Sequence, residues 1–210
     1  MKEYHKINTV FKRTVDGKRL IEGEYSEPVF EYLKNNQWVF TEKVDGTNIR
    51  IMWDGTSVVF GGKTDNAQIP AFLIQKLQER FMTIEARQKL AEQFPEGGCL
   101  YGEGYGARIQ KSGGNYISDG VDFVLFDVKV GDWWLEREAI EDVATKLSLR
   151  VVPIIGEGTL TDLIALGRAG FKSTWGDFNA EGVVARPKVE IKTRRGDRVI
   201  TKIKHKDFQP

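Results

Sequence analysis

Glu42-Lys43-Val44-Asp45-Gly46-Thr47-Asn48-Ile49-Arg50 decides how this chain is read. It follows an apolar run, Trp38, Val39 and Phe40, and it carries an Asp-Gly turn signal ahead of a second strand-like run. Strand, turn and strand therefore meet at a lysine. A lysine is a strong nucleophile only when neutral, and an unperturbed one, with a pKa of about 10.4, is almost fully protonated at neutral pH. Partial desolvation at a strand-to-turn junction and neighbouring cations both lower that pKa and activate the amine. Lys43 is thus a candidate nucleophile toward a phosphate. Taken alone, the stretch also reads as a type I′ hairpin turn with a surface lysine beside it, so the rest of the chain must decide.

Upstream, residues 1–25 are polar, with Ile7, Val10 and Phe11 as anchors. Ser26 is positioned to cap a short helix over 27–34 with Phe30 and Leu33 inward, followed by a strand over 37–44. Downstream, 48–53 and 57–60 form a hairpin closed by Asp54-Gly55. Phe72, Leu73, Leu77, Phe81, Ile84, Leu90 and Phe94 recur at helical spacing, predicting one long or two short helices over 70–94, stopped by Pro95 and Gly97-Gly98. A strand over 99–105 leads into a basic, glycine-containing loop with Arg108, Gln110 and Lys111. Residues 121–130 form an apolar strand that turns at Gly131-Asp132 into 133–135. A helix over 136–147 and a strand over 150–155 follow. Thr159 and Asp162 form a capping box for a helix to Ala169. The last strands are 181–186 and 198–204, joined by a basic segment with Lys188, Lys192, Arg194 and Arg195. The pattern predicts an α+β chain with mostly antiparallel sheets and flanking helices.

The length, 210 residues, allows one large domain or two small ones with a substantial core. Hydrophobic residues at 40% and charged residues at 29% give an ordinary soluble balance. The net charge is +1, so attraction to nucleic acid has to come from a local patch. One cysteine, Cys99, cannot form an internal disulfide and lies in an apolar run. No apolar run approaches the roughly 18 residues of a membrane span, and the first six residues lack the apolar core of a signal peptide. A cytoplasmic protein with no membrane partner is the expectation.

Familiar phosphate-binding motifs fail. Gly62-Lys63-Thr64 resembles the end of a P-loop, but Ser57 stands where the motif needs glycine. Gly102-Glu103-Gly104-Tyr105-Gly106 has the wrong spacing for a dinucleotide fingerprint and no βαβ unit around it. Kinase signatures are absent, and His5 and His205 have no partners at metal-ligand spacing. What remains is a set of charged residues in or beside apolar strands. Glu103, Asp127 and Glu181 supply acids; Lys202 and Lys204 share one strand face. Each alone reads as a solvated strand end or an outer face. Together with Lys43 they supply what a magnesium–polyphosphate site requires.

At this point the chain resembles the covalent nucleotidyltransferases: DNA ligases, RNA ligases and mRNA capping enzymes. Lys43-Val44-Asp45-Gly46 with Asn48 is similar to motif I, Tyr101-Gly102-Glu103-Gly104 to motif III, and Phe123 to Val128 to motif IIIa. Glu181-Gly182-Val183-Val184 is similar to motif IV and Lys202-Ile203-Lys204 to motif V, all in family order. Glu42-Lys43, Gly46-Thr47-Asn48, Arg108-Ile109-Gln110-Lys111, Lys204-His205-Lys206-Asp207-Phe208 and the opening Tyr4-His5-Lys6-Ile7 resemble the RNA ligase 2 type.

The resemblance implies a nucleotidyltransferase (ATP-grasp-like ligase) core using ATP and Mg²⁺ or Mn²⁺. It implies an ATP-dependent RNA ligase that joins 3′-hydroxyl and 5′-phosphate ends through a lysyl–AMP and an adenylylated 5′ end. By the same likeness Lys43, Asp45, Lys202 and Lys204 form the catalytic set. Glu42, Asn48, Arg50, Lys63, Glu103 and Phe126 join Lys43, Glu181, Lys202 and Lys204 as nucleotide contacts, Phe126 against the adenine and Glu103 on the ribose. Glu181 holds the metal. Arg108, Lys111, Asp127 and Arg186 contact nucleic acid. Partners are RNA ends, with DNA or RNA/DNA hybrid ends as alternatives, and an accessory protein or self-association for end-binding. A virus-encoded enzyme acting in host cytoplasm fits the likeness.

Two departures accompany it. Asp45 stands where the RNA ligase 2 type has histidine. The chain also stops six residues after Lys204, so residues 1–210 are expected to be a single adenylation domain without an OB or helical C-terminal domain. The alternatives are a DNA ligase of the same superfamily and a non-catalytic module that binds nucleic-acid ends.

Overall fold

The computed structural model describes residues 3–209; the first two residues of the polar N-terminal stretch and the last residue of the expected domain lie outside them. Two compact units emerge, one of residues 1–4 and 45–152, the other of 5–44 and 153–210. The chain passes between them at Tyr4–His5, Val44–Asp45 and Val152–Pro153.

In the first unit the strands run in the order Arg150–Val151, Val121–Val130, Gly98–Gly106, Thr47–Trp53, Val58–Gly61, with Trp133–Trp134 pairing on Val121–Val130. The pairings are antiparallel except the first, which is parallel. Side chains alternate across a strand, so Ile49, Ile51 and Trp53 face one way. They pack with Leu73, Leu77 and Phe81 of the helix Ala71–Phe81 and with Leu90 of Ile84–Gln93. The other side of the same strands carries Arg50, Tyr101 and Asp127 in one row, since Arg50 pairs with Tyr101 and Tyr101 with Asp127.

In the second unit five strands run in the order Asn8–Thr9, Thr201–Lys204, Gly182–Pro187, Trp38–Lys43, Ile154–Gly158. Only the first pairing is parallel. Trp38, Phe40, Val183, Ala185 and Ile203 build the core, with Leu160 and Leu163 of the helix Leu160–Ala169 and Phe30 and Leu33 from the N-terminal part. Phe11–Arg13 and Leu20–Tyr25 form a separate two-stranded ribbon.

The α+β architecture with antiparallel sheets and flanking helices follows the sequence pattern, and two elements differ from it. Of the two readings of 70–94 the structure takes the second, two helices, because the Thr83 hydroxyl accepts the Ala86 amide and starts a new one. Ser26 does not cap the early helix. That helix is Pro28–Tyr32 with Glu27 at its start, and the Ser26 hydroxyl donates to the Thr9 carbonyl. The expected strand over 150–155 is two strands in two sheets, Arg150–Val151 and Ile154–Gly158. Pro153 between them has no amide hydrogen to continue a ladder. The Thr159–Asp162 capping box is present as read.

Candidate active site

In the second unit, strand register brings the motif residues together. Gly182 pairs with Lys43 on one side and with Lys204 on the other, so three strand ends lie in one row. Glu181, just before Gly182, reaches both lysines. Its Oε2 is 2.6 Å from Lys43 Nζ and its Oε1 is 2.5 Å from Lys204 Nζ. Gly182 permits this closeness, because a Cβ there would run into the Ile203 carbonyl. Lys202, two residues before Lys204 on the same strand, pairs with Val184 and Thr9. All three side chains of the ion-paired trio are largely shielded, with 12% exposure for Glu181. In partial burial such a pair is screened far less than one on the surface.

Glu42, the neighbour of Lys43, points the other way along the strand and is 1% exposed. Its Oε1 accepts from the Ser173 hydroxyl at 2.5 Å, and its Oε2 accepts from the Thr174 amide at 2.9 Å and the Thr174 hydroxyl at 2.8 Å. These hydrogen bonds anchor the 173–174 loop to the strand. Ser173 and Thr174 carry no motif of their own, so nothing in their stretch of chain marks them as partners of Glu42. Arg186 is half-buried on the strand Gly182–Pro187, opposite Val39.

In the first unit Asn48 lies directly opposite Glu103, on the row of strand positions that continues to Arg50 and Tyr101. Asn48 Oδ1 is buried without a hydrogen-bond partner. A buried amide oxygen left open costs folding energy, so this acceptor is available to a ligand donor. Glu103 is half-buried beside it. The strand pairing slips by one residue between Tyr101 and Gly102, which leaves Phe126 as an extra residue on its strand. Such bulges re-aim side chains. Phe126 is half-buried and meets the Tyr4 ring edge-on at 5.1 Å. Lys63 is exposed in the bend after Val58–Gly61.

Two expected contacts are internal instead. Arg50 is 0% exposed, donates to the Gly62 carbonyl at 2.8 Å and pairs with Asp65 at 2.7 Å. Burial with those partners fixes the loop after the hairpin. Asp127 is 0% exposed and accepts the Tyr4 hydroxyl at 2.6 Å, which ties Tyr4 to the sheet. Asp45, placed in the catalytic set, accepts from the Ser112 hydroxyl, and its amide donates to the Tyr116 hydroxyl at 3.1 Å. Arg108 and Lys111 are exposed on the loop nearby.

Among the described residues no cluster of three His, Cys, Asp or Glu could hold a metal by itself. Mg²⁺ does not require one, since it commonly takes one or two carboxylates plus substrate phosphates and water. Glu181 fits that pattern. Among the described residues no helix is long and apolar enough to cross a membrane.

The model of the RNA ligase family matches residues 36–204, and the chain belongs to that family. Solved structures of an RNA ligase from Naegleria gruberi share the fold. The form with pyrophosphate is 20% identical with a TM-score of 0.63, covering 97% of this chain and 62% of that one. An apo aspartate variant of it is 18% identical with a TM-score of 0.66, covering 96% and 57%. A lysine variant with ATP and manganese is 18% identical with a TM-score of 0.65, covering 94% and 57%. The chain thus spans less than two thirds of the length of these proteins. No curated protein matches it.

Proposed function

We propose that this chain is an ATP-dependent RNA ligase of the RNA ligase 2 type that works through a lysyl–AMP on Lys43. The observation that carries the reading is the Lys43–Glu181–Lys204 arrangement, in which one carboxylate holds the nucleophile and a second cation together at 2.6 and 2.5 Å. Family membership and the ATP- and manganese-bound relatives support it.

In this reading the Lys43 ammonium first gives up a proton. Its Nζ then attacks the α-phosphorus of ATP, forming a P–N bond as the P–O bond to pyrophosphate breaks. Lys204 and Lys202 stabilise charge that grows on the α-phosphate oxygens. Glu181 would hold Mg²⁺ or Mn²⁺, which supplies Lewis-acid neutralisation of phosphate charge when bound. Asn48, Glu103, Phe126 and Lys63 form the nucleotide-contacting set, Asn48 through its open Oδ1. An oxygen of an RNA 5′-phosphate next attacks the AMP phosphorus. The P–N bond breaks and Lys43 leaves as the amine, regaining a proton. A 3′-hydroxyl then attacks the adenylylated 5′-phosphate, expelling AMP and leaving a phosphodiester.

The test is incubation with α-labelled ATP and metal. Covalent label that is lost in Lys43→Ala, followed by sealing of a nicked RNA duplex, is the expected result. No covalent label, or label that survives Lys43→Ala, overturns the proposal. Nicked DNA and hybrid duplexes run in parallel separate an RNA ligase from a DNA ligase. End-binding without adenylation would identify a non-catalytic module instead.

A further inference from the structure

Both oxygens of the Glu181 carboxylate are engaged. Oε2 accepts from Lys43 Nζ at 2.6 Å and Oε1 from Lys204 Nζ at 2.5 Å, so each oxygen holds one ammonium group. The backbones behind this bridge are fixed independently of it. The His205 amide donates to the Glu181 carbonyl at 3.0 Å. The Lys204 amide donates to Asp207 Oδ2 at 3.1 Å, and Asp207 pairs in turn with Arg13 at 2.7 Å. Lys43 is held by its register against Gly182. The bridge can therefore open by rotation of two long lysine side chains, with no strand displaced.

Two other acids of this unit stand close to the trio in the chain, and both are committed. Glu42, beside Lys43, accepts from Ser173 and Thr174 with its two oxygens. Asp207 is taken by Arg13 and the Lys204 amide. A metal at the trio thus depends on Glu181. Two ammonium groups around one carboxylate leave the bridge with net positive charge, and Lys202 on the same strand adds to it. A divalent cation brought to Glu181 meets both ammonium groups at close range, in surroundings shielded enough that solvent screens little. A triphosphate does the reverse. Its oxygens take charge-assisted hydrogen bonds from lysine ammonium groups. Once they draw off Lys43 and Lys204, both oxygens of Glu181 are open to a metal.

We propose that the Lys43–Glu181–Lys204 bridge is a lock on the metal site. Glu181 takes Mg²⁺ or Mn²⁺ only when the phosphates of a nucleoside triphosphate have replaced it on the two lysines. This rests on the ligase reading for the nucleotide and adds an order of events to it: the nucleotide opens the metal site, and the free divalent ion is refused. One side chain thus serves twice. It holds two like charges together on neighbouring strands, and it keeps the metal site shut until there is phosphate charge to neutralise. By linkage, nucleotide and metal strengthen each other's binding by the same factor.

The experiment titrates the full chain with Mn²⁺ and follows the free ion by electron paramagnetic resonance. It is run with Mn²⁺ alone and again with α,β-methylene ATP, whose α–β bridge Lys43 cannot open. Lys204→Met frees one oxygen of Glu181 and is expected to tighten Mn²⁺ binding by the nucleotide-free chain about 10- to 100-fold, the scale on which partners of metal-binding side chains act. Lys202→Met removes the same charge from the same strand and leaves both ion pairs of Glu181 in place. It is expected to change that affinity by less than about threefold, as a charge acting only through screened surroundings does. Glu181→Gln is expected to leave Mn²⁺ binding by the nucleotide-free chain unchanged and to weaken it in the α,β-methylene ATP complex about 10-fold or more. Should Glu181→Gln fail to fold, the two lysine variants decide alone. Equal Mn²⁺ affinity in the parent chain and Lys204→Met, or an equal gain in Lys202→Met, overturns the lock and leaves the ligase reading standing. So does weakened Mn²⁺ binding by nucleotide-free Glu181→Gln. Failure of the unaltered chain to form lysyl–AMP overturns the ligase reading, and the titrations with Mn²⁺ alone still judge the lock.

Discussion

Glu42→Ala separates an anchoring role for this residue from a nucleotide contact. The carboxylate is buried and accepts from Ser173, from the Thr174 amide and from the Thr174 hydroxyl. Thr174 is exposed, so its hydroxyl turns to water when the carboxylate is removed. The Ser173 hydroxyl, on a residue 7% exposed, cannot do so easily, and the Thr174 amide loses a part-buried hydrogen bond to a charged acceptor. Each buried donor left open costs about 1–3 kcal/mol, so the two together cost about 2–6 kcal/mol, with a midpoint of roughly 4 kcal/mol. For a chain of this size each kcal/mol moves the melting temperature by about 2–4 °C, which gives a drop of roughly 8–16 °C. Glu42→Gln keeps the shape and one acceptor and turns a donor toward the remaining donors, so it is expected to lose about half as much. Urea unfolding followed by tryptophan fluorescence gives the free energies, and a thermal melt gives the midpoints. A loss under about 1 kcal/mol in Glu42→Ala, with a raised KM for ATP in adenylation, refutes the anchoring argument and returns Glu42 to the nucleotide.

Glu181→Gln removes the charge that holds Lys43 and Lys204 and is expected to slow lysyl–AMP formation by about 10²–10³-fold, by analogy with lost oxyanion donors, in single-turnover labelling. Gly182→Ala drives a Cβ into the Ile203 carbonyl, and overpacking of this kind costs about 1–3 kcal/mol or more, so a lowered melting temperature is expected together with lost adenylation. Cys99 is 2% exposed and burial pushes its thiol pKa up, so a thiol reagent at pH 8 is expected to leave the native chain unlabelled and to modify one thiol per chain in denaturant. Because the folded pKa is the higher one, the unfolded chain releases its proton first. This contribution to stability is complete below about pH 8.5 and declines as the pH rises beyond it, which urea midpoints between pH 7 and 10 measure.

The elements most legible in the sequence are those whose patterning is local. Alternating apolar residues drew the hairpin Thr47–Trp53 and Val58–Gly61, and the capping box at Thr159 marked its helix. The meeting of Lys43, Glu181 and Lys204 was legible at one remove, because each sits at the end of an apolar strand and antiparallel register then aligns the ends. Partners were not legible where two distant stretches meet without a repeated pattern. Glu42 looks like a site residue because it adjoins the nucleophile, yet alternation along a strand turns adjacent side chains to opposite sides; the partners of Glu42 and Arg50 lie in loops, which no repeated pattern marks. Asp45 shows the limit best. Its residue type marks a turn, but its hydroxyl partner Ser112 is 67 positions away, in a loop with no pattern that points back to Asp45. The Asp45 carboxylate thus has a partner that only the fold supplies. Asp45→His removes the carboxylate that accepts the Ser112 hydroxyl and is expected to slow AMP transfer from purified lysyl–AMP enzyme to a nicked RNA duplex by about 10- to 100-fold in single turnover. Equal transfer by Asp45→His and the parent chain would show that the turn is held without that carboxylate.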